Sequence, residues 1–235
     1  MKRLFILIVI LVCTQEVSAQ LFSKEKVQNL QNFDKPRFSW GYILGLNSYD
    51  FNFDYTSDFE DEDITVDKTV GFSVGLLGNM RINDYLDLRL EPMVTFTRRD
   101  ITFNNPLFTS QFESFREVRS TYVHIPLLLK VSAKRLNNFK PFIVGGISTS
   151  INLSSNEDNP DDNNAGEFRM KTNTNYFEIG FGVDLYLYYF KFTPSIRGVF
   201  AMSDELVQDN DPNSPYTSTI DQMSTRGIFI NFTFQ

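Results

Sequence analysis

Eight stretches of this chain alternate apolar and polar residues with a period of two. The last of them shows the pattern plainly. Within residues 224–235, Ile228, Ile230, Phe232 and Phe234 fall on one face, and Gly227, Asn231 and Thr233 fall on the other, with Phe229 as the exception. Successive side chains of a strand point to opposite sides, so this period describes a half-buried strand. The earlier stretches are 38–55, about 70–79, about 85–103, about 117–132, about 139–153, about 175–187 and about 189–202. In the first, Phe38, Trp40, Tyr42, Leu44 and Leu46 oppose Ser39, Gly41, Ile43, Gly45 and Asn47. In the fourth, Val123, Ile125, Leu127, Leu129 and Val131 oppose Tyr122, His124 and Lys130. The fifth alternates less cleanly around Gly145 and Gly146, where a bulge or bend is expected.

The connections alternate in length. Long polar loops at 56–69, 100–116, 154–174 and 203–223 are separated by short turns at 81–84, 133–138 and near Tyr188. Long loops at one end and tight turns at the other describe an up-and-down antiparallel barrel of the transmembrane kind. The fold expected is therefore all-β, an eight-stranded antiparallel up-and-down transmembrane β-barrel. An even strand number places both termini on the same side, the periplasm.

The first residues agree with export. Lys2 and Arg3 precede the apolar run 4–13, and Val17, Ser18 and Ala19 supply small residues before a cut ahead of Gln20. This is the layout of a secretory signal peptide, residues 1–19. Residues 20–37 form a polar periplasmic lead-in with at most a helical turn, and 38–235 form the barrel. The single cysteine, Cys13, lies in the signal, and Val12 before it argues against a lipoprotein. The expected mature chain has no thiol for a disulfide or a cysteine metal site. Losing Lys2, Arg3 and Glu16 removes one net positive charge and takes the formal charge from −7 to −8. So acidic a chain lacks the basic stripe that nucleic acid requires.

Alternation alone leaves open which face turns outward, because a soluble ligand-binding barrel alternates with its apolar face inside. Three features favour apolar-out. The polar faces mix charges with glycines that suit a narrow lumen: Arg89, Glu91, Lys130, Glu178, Asp184, Lys191 and Arg197 among Gly41, Gly45, Gly71, Gly75, Gly180 and Gly182. The chain has 24 Phe and 10 Tyr, and aromatics gather near the expected strand ends as interfacial girdles would. These are Trp40, Tyr42, Phe51, Phe53, Tyr55, Phe103, Tyr176, Tyr186, Tyr188, Tyr189, Phe232 and Phe234. The stretches also exceed the ~9–11 residues that a tilted strand needs to cross a bilayer.

The residues that carry charge or chemistry have bland explanations. His124 is the only histidine, on the polar face of its strand. A membrane hydrolase would use it as a general base, but Tyr122, Pro126 and Lys130 around it form no catalytic constellation. A lumen histidine satisfied by a carboxylate is the simpler expectation. Asp58, Glu60, Asp61, Glu62 and Asp63, and likewise Asp158, Asp161 and Asp162, have the ligand chemistry of Ca²⁺ without the spacing of a known loop, and are expected to be solvated surface. Arg89, Glu91, His124, Lys130, Glu178, Asp184, Lys191 and Arg197 are expected to form a packed polar network. Eight strands enclose an interior just wide enough for side chains to fill. No catalytic residue, cofactor or small-molecule substrate is expected.

The final strand also fits the pattern polar-x-Gly-x-x-apolar-x-aromatic through Thr225, Gly227, Ile230 and Phe232. It resembles the signal read by the barrel assembly machinery, with Gly227, Ile230, Phe232 and Phe234 as its expected elements. Residues 122–130, with Pro126, Leu127, Leu128, Leu129 and Lys130, are similar to a strand common in outer-membrane barrels of Bacteroidota. Residues 33–47 resemble the first strand of PorT proteins, and 186–199 resemble their hairpin between strands six and seven. The likeness runs over most of the mature chain and is weakest in the long loops. It implies a part in the type IX protein secretion system, which in gliding bacteria is linked to motility. A filled lumen cannot pass a folded cargo, so an accessory or assembly role is expected, with outer-membrane lipid, the barrel assembly machinery and other secretion proteins as partners. The lead-in and short turns are where a periplasmic partner is expected to dock. A structural or adhesive barrel without a secretion role is the alternative, and a soluble periplasmic binder of apolar ligands is a third.

Overall fold

The computed structural model describes residues 27–56, 64–104, 108, 110–161, 163 and 168–235. The signal peptide and the acidic run at 58–63 lie outside the described residues, as does Asp162. The strands are β1 (Phe38–Tyr55), β2 (Ile64–Lys68), β3 (Val70–Arg81), β4 (Leu86–Leu90), β5 (Met93–Phe103), β6 (Phe115–Ser132), β7 (Phe139–Asn152), β8 (Asn173–Tyr186), β9 (Lys191–Ala201) and β10 (Ile220–Phe234), with one helical turn, α1 (Gln111–Ser114). All pairings are antiparallel. β1 pairs with both β3 and β10, which closes the ring.

The ten segments make eight staves. β4 and β5 keep one register against β6, from Leu86↔Val131 to Met93↔His124, so they are a single stave. The ladder lapses at Glu91 and Pro92 because proline has no N–H to donate. Glu91 N instead donates to Pro126 O at 3.1 Å, and Leu76 N to Pro92 O at 2.9 Å. β2 and β3 form the second stave, and here the sequence misled: 64–68 was expected to be loop. Against β5 the register slips by one residue between Lys68↔Arg99 and Phe72↔Phe96. The extra residue is a bulge at Thr69, whose hydroxyl donates to Arg98 O at 2.6 Å. The β1–β3 ladder ends just there, at Ser48↔Val70, as expected where a bulge re-aims a strand.

The apolar face points outward. No Asp, Glu, Lys or Arg occupies the outward positions within 38–46, 70–80, 86–96, 121–131, 139–151, 175–185, 192–200 or 228–234. Leu44, Val74, Ile143, Ile147, Ile179, Phe181, Ile196 and Ile228 are among the large side chains exposed there. This arrangement contradicts a soluble ligand-binding barrel. The girdle expectation holds only in part: Trp40, Tyr42, Tyr188 and Tyr189 are exposed near the turn end, but Phe51, Phe103, Tyr176 and Tyr186 are buried. Strand parity turns those four inward, on the faces that hold Asn47, Arg99, Glu178 and Asp184.

Glycines on the inner face let staves approach and leave lumen volume for long side chains. A Cβ on Gly146 would stand 2.2 Å from Leu127 O, a backbone atom that cannot swing aside. Gly146→Val is expected to cost about 1–3 kcal/mol by overpacking, read as a lower urea midpoint for the protein in lipid vesicles. A variant as stable as the native chain would show that the ladder there yields.

Candidate functional site

The lumen is packed from end to end with polar and aromatic side chains, in three tiers. In the middle tier, Arg89 Nε lies 2.8 Å from Glu91 Oε1, and Arg197 Nη1 donates to Glu91 Oε2 at 2.9 Å. Arg197 Nε lies 3.0 Å from Glu178 Oε2, and His124 Nε2 is 2.7 Å from Glu178 Oε1. The Arg89 and Arg197 Nε contacts are ion pairs rather than aligned hydrogen bonds. The chain Arg89–Glu91–Arg197–Glu178–His124 thus ties together staves that are far apart in sequence. Nearest the turn end, Lys130 Nζ donates to Asp184 Oδ2 at 2.6 Å and Thr193 Oγ1 to Asp184 Oδ1 at 2.8 Å. Lys130 also sits 4.1 Å from the Phe142 ring centre, and buried Lys191 lies 4.8 Å from that of Phe33. All eight residues singled out in the sequence are therefore buried on the inner face.

The third tier, toward the loops, was missed. Arg99, fully buried, stacks 3.8 Å from the Phe51 ring centre and donates to Tyr122 Oη at 2.7 Å and Thr225 Oγ1 at 3.2 Å. Glu205, from the last long loop, accepts from Thr225 Oγ1 at 2.7 Å and from Tyr176 Oη at 3.3 Å. Parity would have found Arg99: of the adjacent pair Arg98 and Arg99, one must face inward. Glu205 reaches the tier from a loop, where alternation says nothing.

His124 has no room for a substrate. It is 1% exposed, its ring stacked against Phe229 at 5.8 Å between centres, with Tyr176 edge-on at 5.7 Å. Phe229, the one aromatic that breaks the polar face of the last strand, fills the lumen beside it and packs edge-on against Tyr49 at 5.4 Å. Among the described residues, no group of three or more His, Cys, Asp or Glu is placed to hold a metal ion.

Both mouths are covered. At the turn end, residues 27–37 fold back under the staves. Asn29 N donates to Asn138 Oδ1 at 2.8 Å, Tyr186 Oη to Asp34 Oδ2 at 2.6 Å, and Arg135 stacks 3.6 Å from the Tyr186 ring centre while bonding the Asn29 and Leu30 carbonyls. The segment has no helical turn; Leu30 takes a positive φ of 48°. A recess entering between Phe33, Asp34 and Lys191 holds about 10 Å³, at most one water. At the loop end, Phe51, Ile101, Phe103, Val118, Ile220 and Met223 from the staves meet Phe168, Met170, Leu206 and Tyr216 from the loops in one apolar cluster. Arg169 ties the two last loops together through Asp209 at 2.9 Å, and Met170 bridges to Leu206.

Carboxylates pin this cap. Burial pushes Asp204 up, but the N–H groups of Met223 and Leu206 and the Lys171 ammonium outweigh it and hold the group below its ordinary range. Two hydrogen bonds from Thr172 hold Glu157 low as well. A carboxylate whose pKa is depressed by folding contributes stability above its unfolded pKa and loses it as pH falls through the folded value. The cap is therefore expected to loosen in acid, below about pH 4. Amide protection factors at Leu206 and Met223 should fall there while those of the β8 ladder hold; unchanged protection would show that these carboxylates do not pin the loops.

A closed antiparallel barrel with an uncharged apolar belt and a polar, packed lumen defines an integral outer-membrane β-barrel. The sequence matches the family described as outer membrane protein beta-barrel domain over residues 19–207, and the chain belongs to that family. No curated protein matches it. Among solved structures it is similar to the outer membrane protein OprG of Pseudomonas aeruginosa, with 14% identity and a TM-score of 0.48 over 89% of this chain and 98% of that one. Neisserial surface protein A has 10% identity and a TM-score of 0.44 over 83% and 97%. Ail, the attachment invasion locus protein of Yersinia pestis, solved with the heparin analogue sucrose octasulfate, has 9% identity and a TM-score of 0.38 over 85% and 99%.

Proposed function

We propose that this protein is a non-enzymatic accessory or assembly barrel of the type IX secretion system rather than its conduit. The likeness of residues 33–47 and 186–199 to PorT proteins supplies the system. The observation that carries the accessory role is the lumen, crossed by the Arg89–Glu91–Arg197–Glu178–His124 chain and covered at both ends. A folded protein cannot pass through such an interior. The termini and short turns stand in the periplasm, where the segment 27–37 and the turns around it meet other secretion proteins. In the last strand, Gly227, Ile230, Phe232 and Phe234 serve as the signal for the barrel assembly machinery. The lumen residues Arg89, Glu91, His124, Lys130, Glu178, Asp184, Lys191 and Arg197 act as a structural network.

The test is a clean deletion, with culture supernatants compared by mass spectrometry for secreted cargo. Cargo trapped in the periplasm and released on complementation is the expected result. Unchanged supernatants would refute the secretion role and favour the second reading, a structural or adhesive barrel. The apolar cluster of the loop end, tied by the Arg169–Asp209 pair, is the observation on the side of that reading, since a packed surface of this kind can present a fixed binding face.

A further inference from the structure

Around the turns, Lys35, Arg37 and Lys134 are exposed and Arg81 and Arg135 half-buried. The exposed cations toward the loops are committed: Lys68 and Arg226 to Asp50, Arg98 to Asp100 and Glu117, and Arg119 to Glu117. At the turn end a groove of about 600 Å³ runs between the segment 34–37 and the β3–β4 turn, lined by Asp34, Lys35, Arg37, Arg81, Ile82, Asn83 and Asp84. Its two carboxylates are engaged: Arg81 Nη2 bonds Asp84 Oδ1 at 2.6 Å, and Asp34 accepts from Tyr186. Among the described residues, Lys35 and Arg37 form no ion pair, so two cations of the groove are uncommitted.

The groove's height in the membrane follows from register. Phe38↔Met80 is the last pair of the β1–β3 ladder, and Arg81 N donates to Arg37 O at 2.7 Å just beyond it. Arg37 and Arg81 thus stand one step outside the apolar belt, at headgroup level, and Lys35 lines the same groove two residues before Arg37. On the belt side, Trp40 is 75% exposed beside Gly78, and Ile82 and Tyr85 are half exposed on the turn. Cations one step beyond an exposed indole match a lipid whose phosphate is charged and whose chains lie along the wall.

We infer that this groove is a binding site for an anionic phospholipid, its phosphate held by Lys35 and Arg37 and its acyl chains passing Trp40. The choice of a phospholipid over a glycolipid rests on the periplasmic placement of the turn end proposed above.

Trp40 is the chain's only tryptophan, which makes it the reporter. The full-length protein is reconstituted in phosphatidylcholine vesicles containing a small fraction of either phosphatidylglycerol or phosphatidylcholine with brominated chains, and Trp40 quenching is followed. Phosphatidylglycerol is expected to win by at least roughly fivefold, the factor for one surface cation at an anionic bilayer. The preference should vanish in Lys35→Gln/Arg37→Gln and persist in Lys134→Gln, a cation outside the groove. Equal quenching by both lipids in the native protein would overturn the site. So would a preference that survives the double variant, which would be general attraction to the rim. Brominated lipopolysaccharide outcompeting phosphatidylglycerol would overturn the choice of lipid. Separately, an impermeant maleimide on Asn83→Cys in intact cells reports the placement: labelling there would refute the periplasmic turn end whatever the quenching shows.

Discussion

Glu178→Ala is expected to lower the unfolding free energy by about 3–5 kcal/mol, the usual loss when one partner leaves a buried charge network. Glu178 is fully buried and holds both Arg197 and His124. Without it, Arg197 keeps one carboxylate, Glu91, which it must share with Arg89. His124, 1% exposed, keeps none. The measurement is urea unfolding in lipid vesicles, followed by the mobility shift between folded and unfolded barrel on gels. Replacing Arg197 by Met in the same chain should return part of the loss, because the stranded cation goes with its partner. A single variant within about 0.5 kcal/mol of the native protein, the range of ordinary surface changes, would show the lumen to be wet enough to solvate the orphaned charges.

Ile179→Arg should cost about 2–4 kcal/mol in bilayers, the penalty for an arginine facing lipid near mid-depth. Ile179 is 55% exposed and lies between Gly145 and Gly198 in register, with no large neighbour on either flank to shelter a guanidinium. The same change at Asn52, on the outward face of β1 near the loops, should cost about 0–1 kcal/mol. The contrast between the two positions reads depth directly. Equal costs at both would mean that the apolar belt is not lipid-facing at the height of Ile179.

Most of the wall was legible because a strand's period of two reports which residues share a face, whatever the strand's neighbours. Residues 38–55 form β1 with the bounds the alternation predicts, and Pro92 does not divide the third stave because the register on both sides of it is one. What alternation could not reveal depends on structure outside the strands. β2 was hidden because the Thr69 bulge breaks the period that would have joined it to β3. The inward turn of Phe51, Phe103, Tyr176 and Tyr186 was available from parity, but their position near strand ends suggested girdles instead. The loop-end tier and the cap depend on Glu205, Phe168, Leu206 and Tyr216, which reach the barrel through loops whose course has no periodic signature. The fold-back of residues 27–37 rests on single contacts, such as Asp34 with Tyr186, between positions far apart in sequence.

Single-channel recording of the purified protein in planar bilayers tests the filled, covered lumen most directly. The account predicts a bilayer that stays electrically tight, without stepwise porin-like openings, because charge pairs cross the interior at mid-height and apolar and polar contacts close both mouths. Sustained steps of porin size from the native protein would contradict it and would return the conduit role to consideration.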